Sequence, residues 1–281
     1  GVVNIGGFVL IRLADLIAMA PMAQALLLVI GSLTAVLAGL VMLTRVSIKV
    51  RLAWSTCAQM SFMLMEIGLG LYELALLHLV AHSVYKAYAF LSAGETVHQT
   101  RIGDIVGTRN VVNSPLSHIA ALVVSVALVF GSAFTWQQLA DSSLIPPIAL
   151  AIVAIGLAPL LWSGEGRLRS TIGGISLIIV LTQLYLLWHT VFAGLAPAAT
   201  ATSAYAMVWV LLCFSAFHAT LAWLRSFPQG KFARRLYPWA YCGFYLDERF
   251  TRLTFRLWPV KFSPVQAQTV ANRTLSFQGE S

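Results

Sequence analysis

His78-Leu79-Val80-Ala81-His82-Ser83-Val84-Tyr85-Lys86 lies inside the apolar stretch Leu74–Ala93. That stretch is near the ~20 residues an α-helix needs to cross ~30 Å of hydrocarbon. Backbone polar groups in lipid must be satisfied internally, so the stretch is a helix. It places three ionisable side chains at i, i+4 and i+8. Each step of four residues turns about 40° and rises about 6 Å, so the three line one stripe about 12 Å long. Titratable groups in hydrocarbon are costly, and where they persist they mark ion or proton paths. The stretch therefore points to an all-α, polytopic transmembrane bundle that moves charge through a membrane.

The rest of the chain fits a membrane protein. Of 281 residues, 59% are hydrophobic and 10% charged, where a soluble domain carries about 25% charged residues. The mean hydropathy is +0.82. A net charge of +8 could suggest nucleic-acid binding, but the basic residues form no single run. They fall between apolar spans, where membrane orientation accounts for them. Cys57, Cys213 and Cys242 are widely spaced, with no CxxC pair, and indicate neither a disulfide framework nor a zinc site. The opening Gly1-Val2-Val3-Asn4 reads as mid-helix without initiator Met or signal peptide. The chain thus reads as the C-terminal part of a longer protein.

Eight spans are expected, at Val2–Ala20, Met22–Leu43, Leu52–Leu71, Leu74–Ala93, Leu116–Phe134, Ile145–Trp162, Ile172–Phe192 and Ala204–Leu224. Arg45, Lys49 and Arg51 follow the second, Arg101 and Arg109 the fourth, and Arg167 and Arg169 the sixth. Arg225, Lys231, Arg234 and Arg235 follow the eighth, while the alternate loops near Pro21, Tyr72, Asp141 and Pro197 carry no Lys or Arg. The positive-inside rule then puts the ends of the even spans, and the C-terminus, in the cytoplasm. After Pro228, Arg249, Arg252 and Arg256 recur opposite Phe250, Leu253 and Leu257. That is an amphipathic helix suited to the membrane surface or to a partner.

Glu66 precedes Tyr72 by as many residues as His78 follows it. If Tyr72 marks a helical hairpin, the carboxylate and the imidazole share a depth and can exchange a proton. Lys86 is expected deeper, near mid-membrane, where low dielectric lets a lysine change charge near neutral pH. The competing reading is an inert buried ion pair that fixes packing, in a membrane scaffold. Three groups in phase with Glu66 favour conduction. A metal site is disfavoured, because Leu79 stands where the His-Glu-x-x-His pattern needs Glu and no nearby Cys or Asp completes a tetrahedron. Ser55, Thr56 and Gln59 can bind water or pack against neighbouring helices, and packing is the favoured reading. Asn4, His98, His118, His189 and His218 are read as isolated residues with satisfied structural roles. No phosphate loop, nucleotide fingerprint or hydrolase constellation appears, so the chain is not read as an enzyme by itself.

Ile48-Lys49-Val50-Arg51-Leu52-Ala53-Trp54-Ser55-Thr56, Gln59, Gly68, Leu77-His78-Leu79-Val80-Ala81-His82, Lys86-Ala87, Phe90-Leu91 and Gly94 together resemble one family. It is that of the proton-conducting, antiporter-like subunits of respiratory complex I and of Mrp-type cation/proton antiporters. The resemblance covers about Gly1 to His98 and implies that Lys49, His78, His82 and Lys86 belong to a polar axis relaying protons. Together with the spans above, the resemblance divides the chain into 1–98, the C-terminal part of that core; 99–226, four further membrane helices; and 227–281, a cytoplasmic or interfacial amphipathic region. Beyond His98 the pattern departs: no lysine occurs between Lys86 and Lys231, where complex I subunits carry one in a "GFFSKDE"-like stretch. Glu66, that departure and the ending Tyr237-Pro238-Trp239…Leu246-Asp247-Glu248…Phe250-Thr251-Arg252-Leu253 look closer to the DabB membrane subunits of DAB inorganic-carbon complexes. That likeness implies a bacterial inner-membrane location and a DabA-like soluble partner carrying zinc. It also implies cation flow, H⁺ by expectation, coupled to CO2 hydration in that partner, with no cofactor in this chain. A proton-pumping subunit of a complex I-like or Mrp-like assembly is the alternative.

Overall fold

The computed structural model describes residues 2–92, 114–140, 145–162, 168–192, 195, 197 and 203–258, and among them every regular element is a helix. In chain order these are α1 (Val2–Arg12), α2 (Ala14–Ala18), α3 (Pro21–Leu43), α4 (Ile48–Gly68), α5 (Tyr72–Leu91) and α6 (Pro115–Ala140). Then follow α7 (Pro147–Leu157, continued as a 3₁₀ turn over Ala158–Leu161), α8 (Leu168–Phe192), α9 (Ala204–Ser226), α10 (Lys231–Tyr241) and α11 (Leu246–Leu257). Pro21 and Pro147 sit at helix starts, where a missing N–H costs nothing. His98, Arg101, Arg109 and Arg167 lie outside the described residues, as do the loops that hold them.

The all-α membrane reading holds, and the eight expected spans are matched in part among the described residues. Five described helices are long and apolar enough to cross a bilayer: α3, α5, α6, α8 and α9. The expected first span is broken at Leu13 into α1 and α2. The expected sixth is a short apolar segment, Pro147–Leu161. Its Ile148, Ala149, Leu150, Ile152 and Ala154 are buried, as befits a helix apolar on all sides and enclosed by others. The expected third, α4, starts four residues earlier than read and at about 31 Å is long enough to cross. Lys49, Arg51 and Glu66 make it too polar to count among the apolar spans.

Two apolar clusters hold the helical body, residues 1–241, together. One joins Ile11, Ala14 and Ile17 to Met60, Met63 and Ile67 of α4 and Tyr72 and Ala75 of α5. The other centres on α7, between α6, α8 and α9. The outer faces stay apolar: Val123 and Phe134 of α6, Val180 of α8 and Leu212 of α9 are all exposed. Water-soluble surfaces rarely show such bands, and lipid accepts them. α3 and α9 are stapled by Trp209 Nε1, which donates to Ser32 Oγ at 2.9 Å. Trp209→Phe is expected to cost about 1 kcal/mol, lowering the thermal midpoint in detergent by about 2 °C. The loss is small because Ser32 still donates to the Val29 carbonyl at 3.1 Å. An unshifted midpoint would remove the staple from the account.

At the loop end of α3, the Arg45 guanidinium lies 5.5 Å from the rings of both Trp54 and Tyr241, holding α10 against the body. Residues 242–281 form a second unit. Its α11 buries none of its residues, exposes Phe250, Leu253 and Leu257, and pairs Arg252 with Glu248 one turn away.

Candidate functional site

The hairpin between α4 and α5 follows from Gly68-Leu69-Gly70-Leu71. Gly70 takes a left-handed φ of 75°, which a side chain would strain. Its N–H donates to the Ile67 carbonyl at 3.0 Å, and that of Leu71 to the Glu66 carbonyl at 2.9 Å. This pair of bonds is the Schellman ending. Its consequence is positional: the turn fixes Glu66 one helical turn before the reversal and starts α5 at Tyr72. The Tyr72 hydroxyl donates to the Ala14 carbonyl at 3.3 Å, tying the hairpin to α2.

The turn brings the carboxylate and the imidazole together, as the spacing predicts. Glu66 Oε2 and His78 Nδ1 are 3.3 Å apart, with side chains 10% and 14% exposed. The contact is an ion-pair distance without hydrogen-bond alignment. Phe62 covers His78 from α4, ring centroids 5.1 Å apart, and is itself met edge-on by Phe214 at 5.5 Å. One turn along α5, the His82 ring is 6.4 Å from His78. His82 is buried, and neither ring nitrogen has a hydrogen-bond partner among the described residues. One turn further, Lys86 is 7% exposed. Its Nζ donates to the Leu52 carbonyl at 2.9 Å and to the Ser55 hydroxyl. Both are neutral acceptors, and no carboxylate pairs with Lys86 among the described residues.

Four expectations change here. Lys86 is not at mid-span: it bonds to residues about 6–10 Å along α4 from Ile48, since α5 has by then risen about 21 Å from Tyr72. Glu66 lies about 27 Å along α4, so the row extends over roughly two-thirds of the helix. Ser55 is not a packing residue but a ligand of Lys86. Thr56 bonds to its own helix, donating to the Leu52 carbonyl at 3.0 Å. Asn4 is satisfied but not isolated: its Nδ2 donates to Ser83 Oγ at 2.8 Å, docking α1 on α5 beside His82. Lys49 is exposed in the first turn of α4, and the structure does not bring it into the row. It sits about 100° around α4 from Glu66.

Beside the row runs a cleft of about 770 Å³, lined by Gln59, Glu66, His78 and His82 and, from α8, by Tyr185 and Trp188. The α8 residues were not read from the sequence. The repeat Thr182, Tyr185, His189 on one helical face could have shown them. At the hairpin end, His189 is within electrostatic reach of Glu73. His118 and His218 are not isolated either; both pack on Trp162, at 4.6 and 5.1 Å between ring centroids.

Residues 1–138, which contain the whole row, match the family described as "NADH:quinone oxidoreductase/Mrp antiporter, TM". The chain is 42% identical to a probable inorganic carbon transporter subunit DabB of Hydrogenovibrio crunogenus. That match takes in 276 residues, 95% of this chain and 52% of the relative. It is 36% identical to the probable subunit DabB2 of Halothiobacillus neapolitanus over 273 residues, 93% of this chain and 49% of that one. With the NADH-quinone oxidoreductase subunit L of Rickettsia typhi it shares 33% identity over 128 residues, 45% of this chain and 20% of the relative. The chain spans about half the length of the DabB proteins it matches.

Proposed function

This chain belongs to the antiporter-like membrane subunits, alongside the DabB proteins, and from that premise we propose that it conducts H⁺ within a two-component inorganic-carbon uptake complex. The polar row supports this most. Four ionisable groups, Glu66, His78, His82 and Lys86, follow one another along the α4–α5 seam, and Glu66 and His82 are buried without full hydrogen bonding. A proton entering at Glu66 passes to His78 across their 3.3 Å contact. At 6.4 Å the two imidazoles are too far apart for a direct hydrogen bond, so water completes the step to His82 and on to Lys86. The Leu52 carbonyl and the Ser55 hydroxyl accept from either the ammonium or the neutral amine, so Lys86 can load and unload without moving its cradle. Lys49, about one turn from Leu52 and exposed, tunes the path at its mouth by its charge.

In this reading the chain lies in the bacterial cytoplasmic membrane. The loop arginines and lysines put the Lys86 end of the row, α10 and α11 on the cytoplasmic side. The aromatic–basic C-terminal region helps hold a DabA-like soluble subunit. That subunit carries the zinc, and in it proton flow drives CO2 hydration to bicarbonate. The match of residues 1–138 supports a second reading, a pump subunit of a complex I-like or Mrp-like assembly. Partners separate the two. The full-length protein purified in mild detergent is expected to bring down one large soluble protein with stoichiometric zinc. Recovery of quinone-reductase or Mrp membrane subunits instead would overturn the inorganic-carbon assignment.

A further inference from the structure

A second set of buried titratable groups lies outside the α4–α5 row. His118 of α6 is 2% exposed, and neither of its ring nitrogens has a partner among the described residues. It meets Trp162 edge-on, 67° between ring planes, and His218 of α9 packs on the same indole at 60°. Arg225, in the last turn of α9, donates from Nη2 to the Trp162 carbonyl at 3.2 Å, with its guanidinium 6.0 Å from the Trp162 ring. We propose that His118 and His218, both packed on Trp162, form a second proton-holding station loaded from the Arg225 end of the bundle. The proposal rests on the reading that this chain conducts protons, and it adds residues which that reading leaves unused.

Packing alone does not account for the choice of residues. A phenylalanine at 118 would fill the same edge-on position without leaving two buried nitrogens unpaired. Among the described residues no three His, Cys, Asp or Glu gather to hold a metal. Ring centroids at 4.6 and 5.1 Å leave no space between the rings for a hydrated cation. A proton needs neither: it adds to the free nitrogen of a neutral imidazole and leaves by the same bond.

The surroundings limit the load to one proton. The indole π system lies 4.6 Å from the His118 ring and 5.1 Å from the His218 ring, close enough to favour an imidazolium at one of them. The fixed charge of Arg225, and the other imidazole once protonated, repel a second. Among the described residues, Arg225 is the charged group that acts on His118, while the Ile155 backbone and His118 itself act on His218. His118 lies about 5 Å along α6 from Pro115, and His218 about 12 Å along α9 from Ser226. The station therefore begins near the helix ends and reaches into the bundle.

Proton flux into liposomes holding the full-length protein with its co-purifying partner, read with an internal pH dye, tests this. His118→Phe keeps the aromatic contact and removes the proton carrier. It is expected to slow flux by at least about tenfold and to change its dependence on pH between about 6 and 8. Flux equal to wild type at every pH, in a folded His118→Phe or His118→Gln protein, would overturn the proposal. If the wild-type protein itself carries no protons, the proposed function fails, and the station is judged by titration instead. In ¹⁵N-histidine-labelled protein, the His118 signal, assigned by its loss in His118→Phe, must then move with pH. A signal fixed in one neutral form across the range would overturn the station.

Discussion

Lys86→Ala is expected to abolish coupled uptake in a protein that still assembles, and Lys86→Arg to do the same although the positive charge is kept. Assembly survives because the substitution orphans nothing. The Leu52 carbonyl, which accepts from Lys86 at 2.9 Å, also accepts from the hydroxyls of Ser55 and Thr56, each at 3.0 Å. Taking away a buried cation that has only neutral acceptors removes a desolvation cost as well as a bond. The thermal midpoint of Lys86→Ala should therefore match or exceed that of wild type.

Arginine is the sharper variant. Its guanidinium stays protonated throughout the physiological range, so it preserves an electrostatic role but cannot release a proton. If the cation at this point only repelled other ions or fixed α5 against α4, Lys86→Arg would retain much of the activity. A relay predicts background uptake for both variants, read as bicarbonate accumulation in cells and as dye-reported proton entry in liposomes. Wild-type uptake by correctly assembled Lys86→Arg would sink the relay.

The sequence exposed the α4–α5 row because both cues were local. The period of four in His78, His82 and Lys86 lies within one helix, and the equal offsets of Glu66 and His78 from Tyr72 need only a tight turn, which Gly70 provides. Helix boundaries were also legible where Pro or a sharp change in polarity marked them, as at Pro21 for α3. What could not be read was lateral. The Thr182, Tyr185, His189 repeat marks a polar face on α8 but not that this face meets Glu66, and nothing local says that His118 and His218, a hundred residues apart, share one indole. Nor does hydropathy separate a short helix enclosed by others, such as α7, from a membrane span, since both are apolar on every side. Nor does the spacing show which part of α4 faces Lys86: about 21 Å along α5 from Tyr72, its ammonium meets the Leu52 carbonyl near the start of α4.

The second large effect concerns Gly31, whose neighbours were equally hidden. A Cβ placed there would lie 2.7 Å from both the Met65 amide nitrogen and the Ser61 carbonyl oxygen, so the backbones of α3 and α4 touch. A Cβ on Gly68 would meet the Leu28 nitrogen at 2.6 Å, a second contact further along the same seam. Gly31, Ala35, Ala38 and Gly39 give α3 the small-residue face on which membrane helices approach closely. Backbone cannot rotate aside as a side chain can. Gly31→Leu must therefore push α4 outward, at a cost of about 3 kcal/mol or more. The damage reaches the site, because Met65 adjoins Glu66 and α4 also carries the Leu52–Ser55 cradle of Lys86. Loss of thermal stability and of proton flux together is the expected result. Gly131→Leu on α6 serves as the control, since nothing lies within 4 Å of a Cβ there. Equal stability of the two variants would mean that α3 and α4 are not in backbone contact, and the seam that aims Glu66 at His78 would need another origin.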